Sequence, residues 1–140
     1  MYEIVFGRSI GDVKIGMKRE AVRALFTDVE EWREVPYGAD QEITYNLCGD
    51  FLIAYDQEEC VDFISCDAPD KLVLNGMIID QAEYVDLLEK VRELDPELEE
   101  EDEVGFTSVK LGFGISLNDD REVDSVQVVV EDYYGWKNCE

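Results

Sequence analysis

Apolar residues recur along this chain with two different periods. Between Gly16 and Phe26, Met17, Ala21 and Leu25 return every fourth residue with Val22 and Phe26 beside them, while Lys18, Arg19 and Arg23 fall on the other side. That spacing predicts a short amphipathic helix with one buried face. A second run of this kind places Tyr84, Leu87, Leu88, Val91 and Leu94 on one face. Asp80 with Glu83 three residues on predicts a capping box at its start, and Asp95-Pro96 predicts its end. The other apolar runs are short and rich in β-branched and aromatic residues: Tyr2 to Phe6, Gln41 to Leu47, Phe51 to Tyr55, Cys60 to Cys66, Val104 to Ser108, Val109 to Leu117 and Val123 to Glu131. These read as strands. Between the halves, Leu72 to Ile79 is interrupted by Asn75-Gly76, a tight-turn signal.

The connections between neighbouring strands are short, which favours antiparallel meanders over parallel crossovers. The expected class is therefore α+β, with two helices packed on a largely antiparallel sheet. Helix followed by strands occurs twice, an order that permits a duplicated α-β-β-β unit with pseudo-repeats 1–74 and 75–140. No Pro/Gly/Ser-rich linker separates the halves, and 140 residues suit one core, so a single domain spanning 1–140 with one continuous sheet is expected.

Charge changes the picture more than composition does. Hydrophobic residues make up 46% of the chain, enough to fold, but 35 acidic residues face 12 basic ones and the net charge is -23. Such a field repels phosphate backbones and anionic lipid, so nucleic acid and membrane surfaces are not expected partners. It attracts basic proteins, nucleases among them, and speeds their encounter. The run Glu97 to Glu103 reads as a solvated loop of mutually repelling charges, and Glu99, Glu100, Glu101, Asp102 and Glu103 are candidates for steering a cationic partner. The plain alternative is that this acidity only keeps a small domain soluble.

No conventional active site is legible. Without any His, imidazole acid/base chemistry and the Ser-His and Cys-His systems are excluded. Cys48, Cys60, Cys66 and Cys139 form no C-x-x-C pair and read as free thiols in packing roles. Gly112-Phe113-Gly114 lacks the rest of a dinucleotide fingerprint, and the acidic loops lack the alternating Ca²⁺ pattern. No cofactor, metal or catalytic residue is expected. A carboxylate pair could serve catalysis, but with 35 acids no pair stands out. The aromatic residues Trp32, Tyr37, Tyr133, Tyr134 and Trp136 lie among acids at segment ends, where rings can anchor a partner or close the edges of the core. The first ten residues show no basic stretch followed by an apolar run, so a cytoplasmic location is expected.

Two segments carry a family resemblance. Ile15 to Val22 resembles the opening of the helix-plus-sheet units of β-lactamase-inhibitor-like domains and of small outer-membrane-assembly lipoproteins. Gly105 to Leu117 and Asp124 to Tyr134 look like small bacterial proteins of the immunity type, which block a toxin made beside them by stoichiometric binding. That resemblance implies an immunity protein that binds a cognate basic toxin, a nuclease in the leading expectation. It assigns no site residue. A general acidic adaptor domain, and after it a carboxylate- or metal-dependent enzyme, are the alternatives.

Overall fold

The computed structural model describes residues 1–131 together with Tyr133. In chain order its strands and helices are β1 (Tyr2–Val5), β2 (Ser9–Ile10), β3 (Val13–Lys14), α1 (Arg19–Leu25), β4 (Glu30–Glu34), β5 (Ile43–Cys48), β6 (Phe51–Tyr55), β7 (Val61–Cys66), β8 (Leu72–Leu74), β9 (Met77–Ile78), α2 (Tyr84–Leu94), β10 (Glu99–Glu101), β11 (Gly105–Ser108), β12 (Phe113–Leu117) and β13 (Val123–Val129). The class is α+β.

Two sheets form where one was expected. The larger has eight strands in the order β10-β11-β12-β13-β7-β6-β5-β4, all antiparallel; the smaller has five, β3-β2-β1-β8-β9, with β1 and β8 parallel. The parallel pair could not be read from local spacing, because it joins Tyr2 to Leu72 across the length of the first half. Asn75 and Gly76, both at positive φ (50° and 81°), make the tight turn between β8 and β9 that their dipeptide predicts.

Each helix is followed by four strands of the large sheet, one more than the three-strand unit expected from the sequence. β4 was missed because Glu-Glu-Trp-Arg-Glu has a single apolar residue, Trp32, and all five residues are exposed: this is an edge strand with little to bury. The supposed acidic loop is likewise an edge. Glu99–Glu101 pairs with β11, and all three residues are exposed. A Glu-rich strand is a sound edge, since like charges oppose pairing with another chain.

Both helices start later than expected. Gly16 and Met17 exchange backbone hydrogen bonds with Val61 (2.8 Å each), so that stretch is tied to β7 and the helix begins only at Arg19. Asp80 does not cap α2. It sits in a 3-10 turn drawn inward by the buried Ile79; the helix starts at Tyr84, behind Glu83, which makes no side-chain cap. On α1 only Val22 is buried, and on α2 Leu87, Leu88 and Val91 are; Leu25 and Leu94 stay exposed.

Strand registers divide the eight-stranded sheet into two faces. On one, Asn46, Ile53, Ile64, Val128, Phe113 and Ser108 lie side by side, as do Cys48, Phe51, Cys66, Val126, Ile115 and Phe106. All are buried. Both helices and the small sheet pack on this face: Phe26 beyond α1 meets Phe51 (5.7 Å), Tyr84 of α2 meets Phe106 (6.0 Å), and Tyr2 and Phe6 of the small sheet's side meet Phe51 and Phe113 (4.9 and 4.7 Å). One core cluster results. Where α2 ends, the buried Asp95 accepts a 2.6 Å hydrogen bond from the Ser108 hydroxyl and one from the Glu97 N–H, so the chain turns there on a satisfied carboxylate. Among the described residues, no helix is long and apolar enough to cross a membrane.

Candidate functional site

Among the described residues, the other face of the large sheet carries no helix and no second sheet. Along it, Leu47, Leu52, Ser65, Gln127, Gly114 and Thr107 form one cross-strand row, and Trp32, Tyr45, Ala54 and Phe63 another. These rows divide by chemistry. The β4–β7 half is aromatic and apolar. The β11–β13 half is hydroxyl and amide: Gln127 donates to Ser65 and Ser125 (3.3 and 2.8 Å) and accepts from Ser116 (3.2 Å), a network lying flat on the strands.

The aromatic half deepens into an open hollow of about 760 Å³. Its floor is Leu52, Ala54 and Phe63, its walls include Tyr45, Tyr37 and Tyr133, and the 36–41 segment borders it. Trp32 stacks on Tyr45 at the outer rim, rings 5.6 Å apart and 16° from parallel, and Phe63 lies 5.9 Å from Tyr133. Tyr37 is 97% exposed.

Asp62 also lines this hollow. Ala54 pairs with Phe63 but Tyr55 pairs with Val61, so Asp62 is the extra residue of a β-bulge, turned out of the regular alternation. Its backbone carbonyl accepts the Val130 N–H, but its side-chain Oδ1 is buried without a hydrogen-bond partner. Burial, and then the negative charge of Asp56, push its carboxyl up to about 7. Asp56 itself is occupied locally, its Oδ1 accepting the N–H groups of Glu58 and Cys60 in the β6–β7 turn.

The structure thus separates the residues nominated from sequence. Glu99, Glu100 and Glu101 lie on β10 at one edge of the large sheet, with Asp102 and Glu103 in the turn after it. Glu100 is engaged by the Tyr84 hydroxyl (3.2 Å) and by Arg92 (3.6 Å), and Asp102 by Arg121 (3.0 Å). Trp32 lies on β4 at the opposite edge, stacked on Tyr45, and Tyr37 and Tyr133 line the hollow. Tyr134 and Trp136 lie outside the described residues. Tyr45, Leu52, Asp62 and Phe63 were not singled out from the sequence. A signal was present, because in Tyr45-Asn46-Leu47-Cys48, Leu52-Ile53-Ala54-Tyr55 and Phe63-Ile64 both phases of the strand are apolar or aromatic, which only a sheet with two valuable faces requires.

Among the described residues, no group of three Cys, Asp or Glu side chains is placed to hold a metal ion, and Cys48, Cys60 and Cys66 are free thiols. No family model, curated protein or solved structure matches this chain.

Proposed function

We propose that this chain is an immunity-type protein that binds a basic protein toxin, a nuclease domain in the leading case, through the open face of its eight-stranded sheet, and that it performs no catalysis itself. The observation that carries this reading is the aromatic half of that face. Trp32 and Leu47 are exposed on a face where, among the described residues, no helix or second sheet packs, an apolar patch that a partner can desolvate. The acidic edges on either side, Glu30 to Glu34 and Glu99 to Glu103, supply the long-range attraction for a cationic partner and repel nucleic acid. A cytoplasmic location fits this role. A general adaptor domain for another basic protein is the second reading, favoured by the same patch.

The two halves support an origin by duplication of one unit. In each, the first residue of the helix hydrogen-bonds a glutamate of the next strand, an edge strand: Arg19 to Glu31 (2.9 Å) and Tyr84 to Glu100 (3.2 Å). The two meanders meet through their fourth strands, β7 and β13. With the division placed before Leu72, the β8–β9 hairpin stays whole in the second unit.

The test is to sequence the neighbouring genes for a large secreted protein and to mix the purified chain with that protein's C-terminal domain. The expected result is a 1:1 complex with nanomolar or tighter Kd and a blocked toxin. Trp32→Ala and Phe63→Ala should each speed dissociation by about 30-fold or more. Neutralising Glu99 to Glu103 should instead slow association and flatten its salt dependence. No complex with the neighbouring domain, with unchanged toxin activity, sinks the immunity reading. Binding untouched by the Trp32 and Phe63 variants removes the open face from it.

A further inference from the structure

We propose that β4 is the edge on which a partner adds a strand: an extended basic segment of the bound partner pairs with Glu30–Glu34 and prolongs the large sheet. This rests on the partner being a basic protein, and it names the element of that partner which the chain reads.

The backbone sets the place. Both sheets end in edges, at β4 and β10 of the large one and at β3 and β9 of the small one. β3 and β9 are two residues long and β10 three, whereas β4 has five. Its register with β5 runs from Glu30↔Leu47 to Glu34↔Ile43 without a bulge, and no proline interrupts it. In an antiparallel ladder, alternate residues turn both backbone groups away from the neighbouring strand. On β4 those outward groups have no hydrogen-bond partner among the described residues, and all five residues are exposed. An edge of this length and regularity is a template for another strand.

The side chains decide which strand. Glu30, Trp32 and Glu34 alternate onto one face, Glu31 and Arg33 onto the other. Glu31 is taken by Arg19, Arg23 and Asn46, but Glu30 and Glu34 have no ion-pair or hydrogen-bond partner among the described residues. A second copy of this chain is a poor occupant. Paired antiparallel about Trp32, it would set Glu30 opposite Glu34 twice; paired parallel, it would set each glutamate beside its own counterpart, with a net charge of -23 on each chain. Like charges directly opposite destabilise a ladder. A strand with Lys or Arg at alternate positions reverses the sign at the same sites: one cation meets Glu30, another meets Glu34, and the residue between them lies against Trp32. Main-chain bonds then supply affinity, and the two glutamates supply selectivity. β10 is a lesser template, because Glu100 is already held by Tyr84 and Arg92 and the chain turns straight after Glu101.

The probe is the capped peptide Thr-Lys-Thr-Val-Thr-Lys-Thr, whose lysines have the spacing of Glu30 and Glu34, titrated into the whole chain at low salt while backbone amides are followed by NMR and hydrogen exchange. Submillimolar binding that slows exchange at alternate residues of Glu30–Glu34 is expected. Two N-methylated versions separate strand pairing from plain charge attraction, one methylated on Lys, Val and Lys, the other on the threonines. One should lose about tenfold or more and the other bind as the parent does, because only one phase of an added strand turns its N–H groups toward β4. Glu30→Gln with Glu34→Gln should lose about tenfold, whereas Glu99→Gln with Glu101→Gln on the far edge should change binding by less than about twofold. Absence of binding, equal binding by the two methylated peptides, or protection at β10 in place of β4 overturns the proposal. The outcome is separable from the immunity reading: a tight toxin complex in which the β4 amides exchange as in the free chain defeats only strand addition. A chain that pairs with the peptide through β4 yet leaves the neighbouring toxin active defeats only the toxin assignment.

Discussion

Tyr55 donates a 2.7 Å hydrogen bond to Oδ1 of Asn46 inside the core, where both residues are almost completely buried. The amide in turn donates to Glu31 on the edge strand (3.0 Å), and Glu31 accepts from Arg19 and Arg23 of α1 (2.9 and 3.0 Å). One chain of polar contacts therefore runs from the helix surface through the edge strand into the middle of an apolar layer. The amide, followed by Arg19, holds the Glu31 carboxyl below its ordinary value, and burial drives the Tyr55 phenol well above its own.

This network should behave as a unit. Tyr55→Phe is expected to cost about 1–2 kcal/mol and Asn46→Ala about 2–3 kcal/mol, because each leaves a buried polar partner unsatisfied. The double variant should cost at least 0.5 kcal/mol less than the sum of the two, by the usual scale for contacting residues. Urea unfolding of the four proteins measures this. Strict additivity would show that the 2.7 Å contact contributes nothing of its own.

Asp62 predicts an unusual pH dependence. Its folded carboxyl is held up to about 7 against an ordinary value of 3.8, so between those two the unfolded chain ionises while the folded one stays protonated. Stability linked to this group is complete below pH about 4 and lost as pH rises through about 7. Asp62→Asn should be nearly neutral at pH 4 and more stable than wild type by about 1–2 kcal/mol at pH 8, after discounting for the partial exposure of the site. Melting or urea curves at the two pH values decide it. A gap that stays constant with pH would mean that Asp62 titrates normally.

The glutamates of β10 predict a third outcome. Glu99 and Glu101 are exposed on an edge strand whose outer hydrogen-bonding groups face solvent. Replacing both by Val should leave the fold intact but allow edge-to-edge pairing, seen as dimers or larger species by sedimentation in 0.5 M salt at about 50 μM, where the remaining charge is screened to about 4 Å. If that variant stays monomeric, charge is not what protects this edge.

Much of the fold was legible because it depends on local chemistry. The periods of Phe51 to Tyr55 and Leu87 to Val91, the Asn75-Gly76 turn and the stop at Asp95-Pro96 act over a few residues, and the strands, helix and hairpin formed where they predict. Local reading failed where a distant contact overrode it. Asp80 looked like a cap until the buried Ile79 claimed its turn, and Glu99 to Glu101 looked like a loop until β11 offered backbone partners.

The sequence by itself determined the charge, the absence of imidazole chemistry, the α+β class and the alternation that makes two faces for each strand. It could not say which face would be covered. That was decided by where α1, α2 and the small sheet packed, since all three bury their apolar residues on the Phe51, Phe106 and Phe113 side, and among the described residues no helix or second sheet packs on the other. Nor could it set Asp62 in the hollow that Phe63 and Tyr133 line. A bulge of one residue in β7 turns that carboxyl toward the hollow, and a bulge depends on the register between two strands rather than on either strand's sequence.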